Sequence, residues 1–569
     1  MRMLLDDEYK TIDNYMSDSN VGGRKDRGIR DDLFVVNGII QEHCTSQAKP
    51  VTIQIFDYKT CFDSLWQDKV INELYDAGVQ DDKLALLPKI NETNIVKVKT
   101  PAGLSDAINV EKTICQGDPW GSMECGIIVD GFGKESLKPE MEPYQYRGTV
   151  PVPLLGMVDD ILYITESGYK ACRANAFINA KTVLKRLQFG TEKCQLMYVG
   201  KNIQEHKKIE LYVDGWKMQE VQDELTGDLM CKETFDGEHE LDVSNVEKYL
   251  GQILSNDGSN VKNVASRSGK GSGMVNTIES IISNVPGGKF HFEIAVIMRN
   301  AYLISSMLSC SETWYNVTEN DLRKLEQVDE SLMRKIFNFS SQVTSEILSL
   351  ELGLLPVRYI IMLRRIIYFQ QILKQKSKNS LIYQFLSAQM QNPKRNDWYI
   401  QVQKDLEVLD ITENIQNIET MSKEKYKTIC KTQVKKKAFI YLINKKNSHE
   451  KVGDIQYKQL KISEYLGANN LMLSVIDRQF LFHCRVSDID ARANRTWKYQ
   501  EIYCISCKDR NTIETGKHIL ECSVLNNQND KISYIPTYNE LYSNNIQDQA
   551  YTSTTIKENM KIRESYMTH

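Results

Sequence analysis

Between Val152 and Ile164 the chain is almost wholly apolar, and the run is broken at one charged step, Asp159-Asp160. Valine, leucine and isoleucine on either side favour extended strands, and a tight polar step between two such stretches is where a hairpin bends. Two carboxylates held side by side against apolar strands repel each other and lose hydration unless a cation neutralises them. A hard divalent metal bound through carboxylate oxygens would do so. The pair therefore predicts a hairpin with acids at its bend, and either a metal site or an exposed tip. Three further Asp-Asp pairs, Asp6-Asp7, Asp31-Asp32 and Asp81-Asp82, lie among charged or polar neighbours and read as solvated surface.

A second acid stands about a hundred residues upstream. Val51-Thr52-Ile53-Gln54-Ile55-Phe56 alternates β-branched residues and ends on Asp57, and a helical pattern follows, with Leu65, Val70, Ile71, Leu74 and Tyr75 at helical spacing and Gly78 as its stop. An acid at a strand's C-terminal end can project its oxygens toward a neighbouring hairpin. Between the two acidic sites lies Cys115-Gln116-Gly117-Asp118-Pro119-Trp120-Gly121-Ser122, a Gly/Pro loop before the apolar segment Met123–Val129.

This constellation resembles the palm of a reverse transcriptase, specifically that of non-LTR (LINE-type) retrotransposons. Asp57 with Cys61-Phe62-Asp63 resembles the first catalytic block of that family. Gln116-Gly117-Asp118-Pro119 matches its Gln-Gly-Asp-Pro block, and Met157-Val158-Asp159-Asp160 its aromatic-X-Asp-Asp block. Val21-Gly22-Gly23-Arg24-Lys25-Asp26-Arg27 resembles the fingers block, Phe189-Gly190-Thr191-Glu192-Lys193-Cys194 the block ending in lysine, and Tyr249-Leu250-Gly251 the strand leading to the thumb. The blocks follow the family's order over residues 21–251.

The resemblance implies an α+β right-hand polymerase with fingers, an antiparallel palm sheet, an α-helical thumb and connector, and a small zinc module. It implies RNA-directed DNA polymerase activity, extending a DNA primer on template RNA with dNTPs. Nucleotidyl transfer of this kind uses two metal ions ~3.5–4 Å apart, which activate the attacking hydroxyl and stabilise the leaving group. Asp57, Asp159 and Asp160 would hold two Mg²⁺ ions, with Asp160 more peripheral. Phe62 would lie under the incoming sugar, and Gln116 and Gly117 would line the nucleotide pocket. Arg24 and Lys25 would hold the triphosphate, as guanidinium–phosphate pairing favours. Lys193 would protonate or neutralise the departing pyrophosphate. Each has a plainer reading: a core ring for Phe62, surface charge for Arg24 and Lys25, a turn lysine for Lys193.

A separate cluster lies near the C-terminus. Cys504, Cys507, His518 and Cys522 are spaced Cys-X2-Cys-X10-His-X3-Cys, with a helical step from Gly516 to Cys522. Thiolate and imidazole ligands at such spacing suit tetrahedral, structural Zn²⁺, and LINE-type reverse transcriptases carry a similar cluster beyond the thumb. His483-Cys484 stands nearby at a poorer spacing, and reduced buried cysteines are the plain alternative. Thirteen cysteines without a pairing pattern fit a reducing compartment. No apolar leader and no membrane-length apolar run are evident, so no membrane is expected as partner.

The net charge of −4 is not that of a nucleic-acid binder, so phosphate contacts must come from local patches. Residues 423–446 hold nine lysines against the single acid Glu424, with Lys427, Lys431 and Lys435 on one helical face. That stripe reads equally as a phosphate-tracking surface or as a solvated helix face. The run Arg364-Arg365 to Lys378 reads as a packed helix with a basic edge, and Ser268-Gly269-Lys270-Gly271 lacks the residues of a phosphate loop.

The expected organisation is partial fingers and palm over 1–258, thumb over 259–348, and a helical connector with the basic stripe over 349–495. A zinc module at 496–530 and a polar tail at 531–569 complete it. The fingers block starts some twenty residues from Met1, so the resemblance is to an N-terminally truncated member without an upstream endonuclease. Cys61, Cys115, Trp120 and Met157 depart from the family's usual residues at positions that touch nucleotide and primer packing. Two readings stand: a reverse transcriptase acting in the nucleus, or a catalytically impaired, reverse-transcriptase-derived RNA-binding protein.

Overall fold

The computed structural model describes residues 2–45, 49–86, 89, 95–101, 103–109, 121–200, 212–213, 216–222, 229–235, 239–284, 292–341, 343–375, 377–447, 457–467, 473–486, 488, 503–507, 512–530, 533–537, 540–541 and 545–567. It is a mixed α+β chain that separates into two compact units. The first comprises Met1–Asn263, Glu312–Val317 and Tyr368–Lys404, and the second Val264–Ser311, Thr318–Ile367 and Asp405–His569.

The first unit is built on a five-stranded sheet. Its strands are β1 (Val51–Asp57), β2 (Leu155–Met157), β3 (Asp160–Thr165), β4 (Gln195–Val199) and β5 (Asp242–Ser244), in the order β5-β4-β1-β3-β2. Neighbours are antiparallel except β4 and β5. Residues 51–56 of β1 are all buried, as a central strand covered on both faces requires. Of the polar residues caught in it, the Thr52 and Thr165 hydroxyls bond each other and Gln54 Nε2 donates to the Ala171 carbonyl at 3.3 Å, while Gln54 Oε1 is buried without a hydrogen bond among the described residues. Phe56, Tyr58, Ile127, Phe132, Ile161, Tyr163 and Ile178 share one core with helices Gly121–Ser136 and Gly168–Leu184. The helical pattern expected from Ser64 is split: a short turn Cys61–Ser64, then a helix from Gln67 to Asp76.

The serial domains expected from the sequence are not the units observed, because residues 368–404 return to the first one. The ring of Phe34, on helix Ile29–Thr45, lies 6.0 Å from Tyr368, 5.4 Å from Phe385 and 5.0 Å from Trp398. Arg147 is held by Glu42 at 3.1 Å and Asp397 at 2.6 Å. The same packing corrects the solvated reading of Asp31-Asp32. Both are buried in the first turn of that helix, and Asp31 accepts from the Tyr368 hydroxyl at 2.7 Å and the Gly28 amide at 3.2 Å. Burial holds the Asp31 carboxyl above its ordinary range and that of Asp32 well above it.

The second unit is helical. Helix Glu319–Phe337 opens on a capping box, Thr318 with Asp321, and helix Ser345–Leu352 ends on Gly353 at φ 65°. Phe292, Phe337, Phe339 and Phe482 form an aromatic cluster in its core. Two buried ion pairs lie there, Glu351 with Arg485 at 2.8 Å and Arg365 with Asp405 at 2.5 Å. Unpaired, such charges would cost several kcal/mol, about 3–5 when one partner is removed. The expected polar tail contains a 22-residue helix, Ile546–Met567, with Ile556, Asn559 and Arg563 buried. Among the described residues no helix is long and apolar enough to cross a membrane.

Candidate active site and metal cluster

Strands β2 and β3 pair through Met157 and Asp160, leaving Val158-Asp159 as a two-residue hairpin loop. Val158 has φ 63°, a positive value at the first loop position that glycine usually supplies. A β-branched residue there is strained by about 1–3 kcal/mol and is held by its surroundings. Those surroundings include the fingers block. Val21 N donates to the Gly156 carbonyl and Gly156 N to the Ser19 carbonyl, each at 3.0 Å. A Cβ on Gly22 would lie 2.8 Å from Val158 Cγ2, and one on Gly23, at φ 65°, would lie 2.9 Å from Ser122 Cβ. Gly22 thus lets this segment lie against the acidic hairpin, and Gly23 lets it lie against helix Gly121–Ser136. The sequence showed the two glycines without their partners.

Asp57 is directly opposite Asp160 in the β1–β3 ladder. Directly opposed residues project from the same face with Cβ atoms about 4.5–5.5 Å apart, so Asp57, Asp159 and Asp160 converge at one end of the sheet. The segment 188–194 wraps that end: Lys59 N donates to the Gln188 carbonyl at 2.9 Å, Gly190 N to the Asp57 carbonyl at 2.8 Å, and Tyr58 stacks on Phe189 at 5.1 Å. It carries Lys193, whose Nζ lies 3.2 and 3.3 Å from the two Asp57 oxygens. Burial raises the Asp159 carboxyl above its ordinary range, and the Asp57 charge adds to the shift. Asp160 is pushed up to about 6 by burial, then by Asp159 and Asp57, with Lys193 pulling the other way. One ammonium against three carboxylates leaves an excess of negative charge that a divalent cation would relieve.

Of the residues expected to bind nucleotide, Phe62 is half-buried in the short turn after Thr60 and packs on the core of the first unit. Lys25 is exposed, and its amide donates to the Tyr9 hydroxyl at 2.5 Å. Arg24 departs from its expected role. Its guanidinium is buried and donates to Asp13 Oδ1 at 2.7 Å, to the Asp13 and Asn20 carbonyls at 2.8 and 3.0 Å, and to the Ser17 carbonyl. The fork that would grip a triphosphate is spent on the chain's own N-terminal helix. Gln116 and Gly117, with the rest of the Gln-Gly-Asp-Pro block, lie outside the described residues. A contribution not foreseen is Asp32. The buried Tyr249 hydroxyl is raised well above its ordinary range by burial, and Asp32 and Asp160 both add to that shift. No local pattern marks Asp32 as buried.

The Cys504, Cys507, His518 and Cys522 ligand atoms all lie within 4.8 Å of one another, with Cys507 Sγ 3.6 Å from His518 Nε2. Zn–S and Zn–N bonds of about 2.3 and 2.0–2.1 Å around a tetrahedron bring ligand atoms to comparable separations. Tyr503 bridges to Ile513, closing the first Cys-X2-Cys knuckle, and Thr515 caps helix Gly516–Glu521 by accepting from the His518 amide at 3.1 Å. Burial, with Cys504 and Cys507 adding, pushes the Cys522 thiol up to about 11. Thiols so crowded ionise together only around a cation, so the donor set fits zinc. His483 and Cys484 stand outside this cluster, as His483 bonds the Phe337 carbonyl at 3.2 Å and Cys484 is fully buried.

Helix Lys423–Asn447 buries Tyr426, Cys430, Val434, Ala438 and Leu442, one every fourth residue. Lys427, Lys431 and Lys435 follow the same spacing one position on and form an exposed row. Lys437 is paired with Asp410 at 2.5 Å.

No protein-family model and no curated protein matches this sequence. Among solved structures the chain is similar to apo telomerase from Candida tropicalis, at TM-score 0.31 and 12% identity over 74% of this chain and 59% of that one. It is also similar to Candida albicans telomerase in complex with a TWJ fragment of telomeric RNA, at TM-score 0.31 and 13% identity over 72% and 55%. A third is the C. tropicalis enzyme truncated from its C-terminal domain, at TM-score 0.26 and 16% identity over 38% and 41%. The likeness is weak, and the chain spans between 41% and 59% of the length of these telomerases.

Proposed function

We propose that the chain is an RNA-directed DNA polymerase of LINE type, adding deoxynucleotides to a DNA primer on an RNA template in the nucleus. The observation that carries this reading is the convergence of Asp57, Asp159 and Asp160 at one sheet end with Lys193 beside them. A protein that only binds has no use for three carboxylates whose burial and mutual repulsion are uncompensated. Two Mg²⁺ ions at these acids would lower the pKa of the primer hydroxyl and stabilise charge on the leaving pyrophosphate. The chain's own groups do the rest. Asp57 and Asp159 would hold those ions, with Asp160 more peripheral, and Phe62 bounds the sugar. Lys193 turns from Asp57 to the departing phosphate, to which it gives its charge or its proton. Lys427, Lys431 and Lys435 supply phosphate contacts along the nucleic acid.

One observation favours the second reading, a derived protein that holds RNA without copying it: the engagement of Arg24 within the fold removes an expected triphosphate contact. Incorporation of dNTPs on an annealed RNA template and DNA primer with Mg²⁺ decides between them. Extension by the parent that is lost in Asp159→Asn supports the polymerase. Tight RNA binding with no extension by either protein leaves the binding reading.

A further inference from the structure

The four cysteine and histidine ligands come from two short pieces, 504–507 and 518–522, and something must fix the spacing between them. Glu514 lies between the two in the chain and is fully buried. Its Oε2 accepts from the Ile505 amide, inside the knuckle, at 3.4 Å. Its Oε1 accepts from Arg563 Nε at 2.8 Å, Nη2 of the same ion pair lies 2.7 Å away, and Arg563 is 1% exposed. Arg563 belongs to helix Ile546–Met567. One turn earlier on that helix, Asn559 Nδ2 donates to the carbonyl of Ile519, the residue after His518, at 2.9 Å and to Asn526 Oδ1 at 2.8 Å. Its own Oδ1 accepts from Asn529 at 2.7 Å. From one face of one helix, Asn559 thus reaches the 518–522 piece directly and Arg563 reaches the 504–507 piece through Glu514.

We propose that helix Ile546–Met567 is the outer wall of the metal module, and that Arg563 and Asn559 are positioning residues of its metal site. Metal loading docks the helix, and the docked helix tightens the metal. The proposal rests on reading the cluster as a zinc site. The electrostatics explain the choice of arginine: Zn²⁺ with three thiolates carries a net charge of −1, and a buried Glu514 carboxylate beside the knuckle adds to it. The guanidinium cancels that addition and holds the carboxylate where it supports the Ile505 amide. By linkage, whatever the helix adds to metal affinity the metal adds to helix docking.

The test uses the full chain, zinc-loaded and reduced. Zinc affinity is read by competition with the chromophoric chelator 4-(2-pyridylazo)resorcinol, and helix docking by trypsin cleavage after Lys557 and Lys561 before and after zinc removal. Arg563→Ala is expected to weaken zinc roughly 10-fold or more, within the range of outer-shell metal substitutions. Arg563→Lys should recover part of this, and Glu514→Gln with Arg563→Met should lose less than Arg563→Ala, because no lone buried charge remains. Zinc removal should speed cleavage in the helix at least severalfold. Unchanged affinity in Arg563→Ala, or equal cleavage with and without zinc, overturns the proposal. Should Arg563→Ala fail to fold by circular dichroism, the lysine and paired variants carry the decision. A parent chain that does not compete with the chelator overturns the zinc reading itself, a result distinct from zinc bound with equal affinity in all variants.

Discussion

Asp160 couples the site to pH. Its carboxyl titrates near 6 in the fold against about 3.8 in an unfolded chain, so between those values the folded state keeps a proton that the unfolded state has lost. Stability contributed by this group is therefore present below about pH 4 and declines as pH rises through 6. In metal-free protein at pH 8, Asp160→Asn should gain about 1–2 kcal/mol in urea unfolding, after discounting the shift for partial solvent exposure. The gain should shrink at pH 4 and on adding Mg²⁺. Lys193 acts in the opposite sense, because its ammonium occupies the Asp57 oxygens a metal would use. Lys193→Met should bind Mn²⁺ severalfold more tightly by electron paramagnetic resonance while incorporating nucleotide more slowly. At this scale the sequence was partly legible: the acids and Lys193 stood out because their neighbours are local in the chain. Arg24 and Asp31 did not, since their partners Asp13, Ser17 and Tyr368 are contacts that no spacing rule reveals.

Individual elements followed their patterns where those patterns are apolar. Residues 51–57 and 160–165, both rich in β-favouring apolar residues, form strands. Helix Ile546–Met567 escaped because its buried face includes Gln549, Thr552, Ser553, Thr555, Asn559 and Arg563, side chains that hydropathy assigns to solvent. Close approaches of backbone were equally silent. Gly22→Ala would drive a Cβ to 2.8 Å from Val158 Cγ2 and 2.9 Å from Val158 N, so the acidic hairpin must shift. The expected cost is about 1–3 kcal/mol, with primer extension reduced at least tenfold, as read by urea melts and by incorporation assays. Gly353→Ala meets the Ile462 amide and the Lys461 carbonyl carbon at 2.5 Å from a backbone at φ 65°. Neither neighbour can rotate away, so the loss should exceed that at Gly22, with unfolding confined first to the helical unit.

At the scale of the molecule, the first unit is assembled from three stretches of chain, 1–263, 312–317 and 368–404. The serial domains expected from the sequence assumed that neighbours in the chain fold together, which holds for the sheet and fails for the aromatic cap on Phe34. A chain cut after residue 258 keeps all five strands of the sheet and all three acids but lacks Tyr368, Phe385 and Trp398. It should show no cooperative urea transition, whereas a chain ending at residue 404 should recover one. The cap also sets a clock on biosynthesis. The five-stranded sheet emerges from the ribosome first but waits through more than a hundred further residues before Phe385 and Trp398 arrive. During that interval Phe34 and the buried acids beside it stay open to water and to chaperones. Slow codons or a pause between residues 258 and 404 would lengthen this exposure, making the yield of folded protein sensitive to how fast that middle stretch is translated.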